Sequence, residues 1–112
     1  MPARRDEQQT GNLEKACGWL QAMGHPMRLM IICLLRDREC NAADLAVHCD
    51  APLATVLWHL KILEKNALVA WRKKAGRTFY RTADKRLPAL VRHLLLNDWQ
   101  QRNGRWVNSR IG

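Results

Sequence analysis

No apolar stretch of this 112-residue chain reaches the ~18 residues that a membrane-spanning helix needs. The opening Met1-Pro2-Ala3-Arg4-Arg5-Asp6-Glu7-Gln8 has no apolar core of the kind a secretory signal carries. Together these absences predict a cytoplasmic protein without a membrane partner. Cysteine occurs at 17, 33, 40 and 49 with no C-x-x-C pair, so reduced thiols are expected and a zinc knuckle is not indicated. Catalytic groupings are missing too. No Ser/His/Asp or Cys/His arrangement, carboxylate pair or glycine-rich phosphate loop stands out, which argues against an enzyme, and no cofactor or metal is implied. Acidic residues are scarce: 10 Asp and Glu face 19 Lys and Arg, a formal net charge of +9. The length suits one domain with a modest core. There is no internal repeat and no low-complexity segment.

What the chain does have is concentrated between Ala51 and Thr82. Leu53, Val56, Leu57, Leu60 and Leu63 follow the i, i+3, i+4, i+7 rhythm of a helix with one face on a core. Pro52 suits the first helical position, and Asn66 is a plausible stop. The outward face is then expected to carry Ala54, Thr55, Trp58, His59, Lys61 and Lys65, placed to meet base edges and phosphates. Leu68 to Arg72 and Thr78 to Thr82 are rich in β-branched and aromatic residues. Between them Lys73-Lys74-Ala75-Gly76-Arg77 supplies a glycine for a bulged hairpin turn. Residues 61–92 hold ten basic side chains against two acidic ones, Glu64 and Asp84. A helix sized for the major groove, followed by a basic hairpin able to lie on phosphates, describes a winged helix-turn-helix with a polyanion partner.

The remaining segments supply the support. Residues 1–11 read as a flexible arm. Asn12 can cap a first helix containing Leu13, Ala16, Cys17, Leu20 and Met23, which Gly24 ends. His25-Pro26 opens a second helix from Met27 to about Arg36, apolar on nearly every side and therefore central. Asn41, with Asp44 three residues on, resembles a cap for a short third helix through His48. Cys49-Asp50-Ala51 then turns the chain into the Pro52 helix. After the hairpin, Pro88 begins a last helix, with Leu87, Leu90, Val91 and Leu94 as one stripe and Leu95 with Trp99 on a second face. Asn103-Gly104 is expected to end it. The domain is thus read as 12–103, mainly α with a small β-hairpin (α-α-α-α-β-β-α), and 104–112 as a tail. The first and last helices form the expected homodimer surface.

Several short motifs occur in order. They are Gly24-His25-Pro26-Met27-Arg28-Leu29, Asp44-Leu45-Ala46, Thr55-Val56-x-x-His59-Leu60-Lys61-Ile62-Leu63, Ala67-Leu68-Val69, Lys74-Ala75-Gly76-Arg77 and Phe79-Tyr80. In this series the chain resembles the ArsR/SmtB family of winged-helix repressors over roughly residues 13–99. The resemblance implies a transcriptional repressor that binds an inverted-repeat operator in double-stranded DNA as a homodimer and is released by an inducer. It also implies base contacts from Ala54, Thr55, Trp58, His59 and Lys61, and phosphate contacts from Arg72, Lys73, Lys74 and Arg77. Two departures from the family pattern stand out. Leu53, Leu57 and Trp58 replace small or polar residues on the recognition helix, and the thiol pattern is incomplete. The metal-sensing Cys-x-Cys is reduced to Cys40. In the branch responding to oxidants or reactive sulfur, Cys33 matches the first cysteine, but the second position falls on Trp99. Cys33 and Cys40 remain candidate thiol sensors, and Asp44 with His48 a minor metal candidate. The alternative from another class is a protein-interaction module anchored by Trp58 and Trp71.

Overall fold

Helix boundaries follow the capping chemistry of the sequence except at the two ends of the chain. The computed structural model describes residues 2–96, 99–102 and 105–108, with side-chain surroundings for 10–94. Helix α1 (Pro2–Met23) begins at Pro2 and passes through Asn12, so the expected arm is helical from its second residue. Ala, Arg, Glu and Gln there are good helix formers, and the one breaker, Gly11, costs only about 1 kcal/mol. Gly24 ends α1, its N–H donating to the Gln21 carbonyl at 3.2 Å.

Helix α2 (Pro26–Leu34) is capped by His25, whose Nδ1 accepts from the Met27 N–H at 3.1 Å. Ile31 and Ile32 are fully buried, which makes α2 the central helix. Strand β1 (Cys40–Asn41) follows, then α3 (Ala42–Cys49), where Asn41 Oδ1 accepts from the Asp44 N–H at 2.8 Å. Asp50, in the left-handed region at φ 51°, reverses the chain. Pro52 then stands at the N-cap of α4 (Leu53–Lys65), one residue outside its expected place.

At the far end of α4 the Ala67 N–H donates to the Glu64 carbonyl at 3.0 Å and the Leu68 N–H to the Leu63 carbonyl at 2.9 Å. Those two bonds make a Schellman stop around the Asn66 cap, with Leu63 and Leu68 both buried beside it. The chain is thereby delivered into β2 (Val69–Lys74), which pairs antiparallel with β3 (Arg77–Thr82). Lys74 lies opposite Arg77, so the loop is only Ala75-Gly76, with φ of 53° and 77°. Positive φ at both loop residues belongs to the tight primed turns rather than to the bulged turn expected. Strand β1 adds to the free edge of β3, through Cys40↔Tyr80 and Asn41↔Phe79, in the order β1-β3-β2. A two-residue strand has no alternation to read, so the sequence does not announce this third strand.

Helix α5 (Arg86–Leu96) starts two residues before Pro88. Its start is fixed by Asp84, whose carboxylate accepts from the Arg86 N–H at 2.9 Å and from the Arg86 side chain. Those bonds hold the Asp84 carboxyl at about 2. Leu87 and Val91 are buried against the core, whereas Leu90 and Leu94 of the same expected stripe are exposed. Beyond α5 the helix does not continue to Asn103. Instead Trp99–Arg102 (β4) and Arg105–Asn108 (β5) form a second antiparallel pair. Asn103-Gly104, the expected end of the helix, lies outside the described residues. Trp19 of α1 has Lys15 Nζ at 5.7 Å and Arg86 Cζ at 5.9 Å from its ring centre, which brings the start of α5 to α1. Among the described residues, no helix is long and apolar enough to cross a membrane.

Candidate nucleic-acid interface

Two helical rhythms coexist in α4, and packing selects the second. Val56, His59, Leu60 and Leu63 are the buried set, spaced i, i+3, i+4, i+7. Leu53 and Leu57, which periodicity places on the core, are 47% and 43% exposed, and Trp58 is 60% exposed. His59 is the correction with functional weight: it is 3% exposed and not on the outward face. Its ring lies 4.5 Å from that of His25, centre to centre, and its Nδ1 has no hydrogen-bond partner among the described residues. Burial holds the His59 pKa below its ordinary value, and the neighbouring His25 and Arg28 push it the same way. A neutral, enclosed imidazole packs within the helix-turn-helix and is not displayed on its outward face.

The remaining predicted helix residues lie as follows. Ala54 and Lys61 are exposed, with Lys65 one turn beyond Lys61, and Thr55 is half-buried. The wing is held to this helix by the indole N–H of Trp71, which donates to Glu64 Oε1 at 2.7 Å. That bond gives Trp71 and Glu64 a mutual role that the sequence pattern assigns to neither. Trp71 stands opposite Tyr80, and burial followed by the Glu64 charge raises the Tyr80 phenol above its usual range.

Arg72, Lys73, Lys74 and Arg77 are all exposed, as the wing reading requires. Arg72 differs from the others. Its guanidinium is paired with Glu39, Nε to Oε1 at 2.8 Å and Nη2 to Oε2 at 3.0 Å, linking β2 to the residue before β1. A phosphate would have to share or displace that carboxylate. Lys74 and Arg77 sit directly across the strands from each other at the tip. Like charges in that register destabilise a free hairpin by some tenths of a kcal/mol, a cost that a bound polyanion removes.

The candidate thiols occupy different surroundings. Cys40 is buried in β1, and Cys33 is partly buried in α2. Burial raises the Cys33 thiol pKa, with Arg36 opposing it, and burial also raises that of Cys49. Raised values keep these groups as thiols at neutral pH, the less reactive form. Asp44 and His48 are exposed on α3, and among the described residues no three His, Cys, Asp or Glu side chains converge as metal ligands.

The chain's similarities to known proteins agree with this geometry. A family model described as a helix-turn-helix domain matches residues 23–70, from the end of α1 into β2. The transcriptional activator HlyU of Vibrio cholerae is 31% identical over 80 residues, covering 71% of this chain and 74% of that protein. The solved structure of reduced HlyU from V. cholerae superposes with a TM-score of 0.72 at 28% identity, covering 81% of this chain and 99% of that one. The transcriptional repressor BigR of Xylella fastidiosa superposes at 0.65 with 26% identity over 81% of this chain and 88% of its own. On the order of its elements, its motifs and these relatives, the chain belongs to the ArsR/SmtB family of winged helix-turn-helix DNA-binding transcriptional regulators.

Proposed function

We propose that this regulator is a homodimeric repressor that seats α4 in the major groove of an inverted-repeat operator and lays its wing on the flanking phosphates. In this reading Ala54, Thr55, Trp58 and Lys61 face base edges, while Lys73, Lys74 and Arg77 hold phosphates and Arg72 joins them by sharing Glu39. The observation that carries it is the Trp71–Glu64 bond of 2.7 Å, which fixes a wing tipped with exposed cations against a helix bearing exposed Lys61 and Lys65. The dimer uses α1 and α5, where Leu13, Leu20, Leu90 and Leu94 are exposed. The protein acts in the cytoplasm, where its operator is. No sensing role is proposed for Cys33 or Cys40, whose burial favours packing.

The test is a salt series on the reduced protein with its own upstream DNA and with scrambled duplex. A preference of at least ~10³-fold is expected, with log affinity falling steeply as log salt rises. Lys73→Ala with Lys74→Ala should reduce that slope by about one for each phosphate no longer neutralised, and should weaken both duplexes alike. Equal, weak binding to both duplexes would favour the protein-interaction module anchored on Trp58 instead.

A further inference from the structure

The outward face of α4 has little of the hydrogen-bonding chemistry usually used to read bases. From its N-terminus, the side chains turned away from the core are Leu53, Ala54, Leu57, Trp58 and Lys61. The first three carry no hydrogen-bond donor or acceptor, and Trp58 offers one donor, its indole N–H. Of the side chains that pair with base edges in the major groove, Asn, Gln, Arg and Glu are absent from this part of α4, which offers only Lys61 and the half-buried Thr55. The core does not require these apolar groups, since Val56, Leu60 and Leu63 already fill it. Their exposure is a property of the surface, and the surrounding charge indicates what covers it. Lys61 and Lys65 on the same helix, and Lys73, Lys74 and Arg77 on the wing bonded to that helix through Trp71, are all exposed, which suits a polyanion and not an apolar protein partner.

On the major-groove edge of duplex DNA the apolar feature is the C5-methyl group of thymine. We propose that Leu57 and Trp58, with Leu53 beside them, are specificity-determining residues that read thymine methyls, so that each operator half-site carries thymines where these side chains enter the groove. Thymine is then recognised by apolar contact, independently of Lys61, with the wing supplying affinity that is indifferent to sequence. The inference rests on the DNA-binding reading above and names the base that the same site prefers.

The experiment begins with the full-length protein selecting its preferred site from a random-sequence duplex library. Each thymine of the selected half-site is then replaced singly by deoxyuridine, which pairs identically and lacks only the methyl group. Affinity should fall about fourfold for each methyl that is buried on binding, at one or more positions per half-site. Leu57→Ala and Trp58→Ala should each abolish the thymine preference at one of those positions. Both side chains are exposed, so the variants should retain the helical circular dichroism of the parent. Lys61→Ala should weaken thymine and deoxyuridine duplexes equally. Equal affinity for the two duplexes at every position would overturn the inference while leaving operator binding in place. An unchanged thymine preference in both Leu57→Ala and Trp58→Ala would overturn the assignment to this face. If no sequence is enriched at all, the operator reading itself fails, and this inference with it.

Discussion

Ala67 holds a backbone conformation that an L-residue adopts reluctantly, with φ at 58° in the turn that ends α4. It does so because both hydrogen bonds of the Schellman stop and the burial of Leu68 demand it. Removing the Cβ relieves the crowding, so Ala67→Gly should stabilise the fold by roughly 0.5–1 kcal/mol, read as a higher urea midpoint at unchanged slope. His59 makes the opposite kind of residue-scale demand. The folded state holds its pKa below the ordinary 6.5, first by burial, then by His25 and Arg28. The unfolded chain therefore binds the proton first as pH falls, and stability should decline from about pH 6.5 downward until the folded imidazole also protonates. Urea unfolding at pH 7.5 and 5.5 should show that decline, and His59→Leu should flatten it. A pH dependence identical in His59→Leu would remove His59 as its cause.

At the scale of elements, the proposed phosphate contacts of the wing imply a trade of stability for binding at its tip. Lys74 and Arg77 face each other across the last register of the hairpin, both exposed. Arg77→Glu turns a repulsive pair into an attractive one and should raise the melting temperature slightly, by an amount equivalent to ~0.2–1 kcal/mol, while weakening DNA binding. A variant that lost both stability and affinity would show that Arg77 is structural. The wing's existence, its basic tip and the α3–α4 unit are legible in the sequence because turn glycine, Asn cap and clustered charge are local signals. What escapes it is phase and partnership. Two apolar rhythms are available in α4, and hydrophobicity alone favours Leu53 and Leu57 over the set containing His59. The spacing from Val56 to His59 to Leu63 is visible, yet the ring contact with His25 that accompanies a buried imidazole there is not. The Arg72–Glu39 pair spans 33 residues and β1 is two residues long, so neither leaves a periodic trace. At the C-terminal end, the short strands Trp99–Arg102 and Arg105–Asn108 replace the expected continuation of the last helix, and segments of four residues carry too little alternation to announce themselves.

For the whole molecule, the remaining physical problem is the apolar surface that one copy leaves uncovered. Leu13 and Leu20 on α1 and Leu90 and Leu94 on α5 are all exposed, whereas Leu87 and Val91 on α5 are already buried in the monomer's core. The Lys15–Trp19–Arg86 stack brings the start of α5 to the last turns of α1, so the two helices can present a common face. A face of that composition is costly in water, and in the proposed dimer a second copy related by a two-fold axis would cover it and would match two recognition helices to an inverted repeat. Leu20→Lys with Leu94→Lys tests this without touching the core. The variant should keep its far-ultraviolet circular dichroism, sediment as a monomer where the parent sediments as a dimer, and lose about 10²-fold or more in operator affinity as the second half-site becomes a separate binding event. Sedimentation must be read together with DNA binding. A variant that stays dimeric would place the interface elsewhere, while a monomer that binds the full operator as tightly as the parent would show that one protomer suffices for recognition.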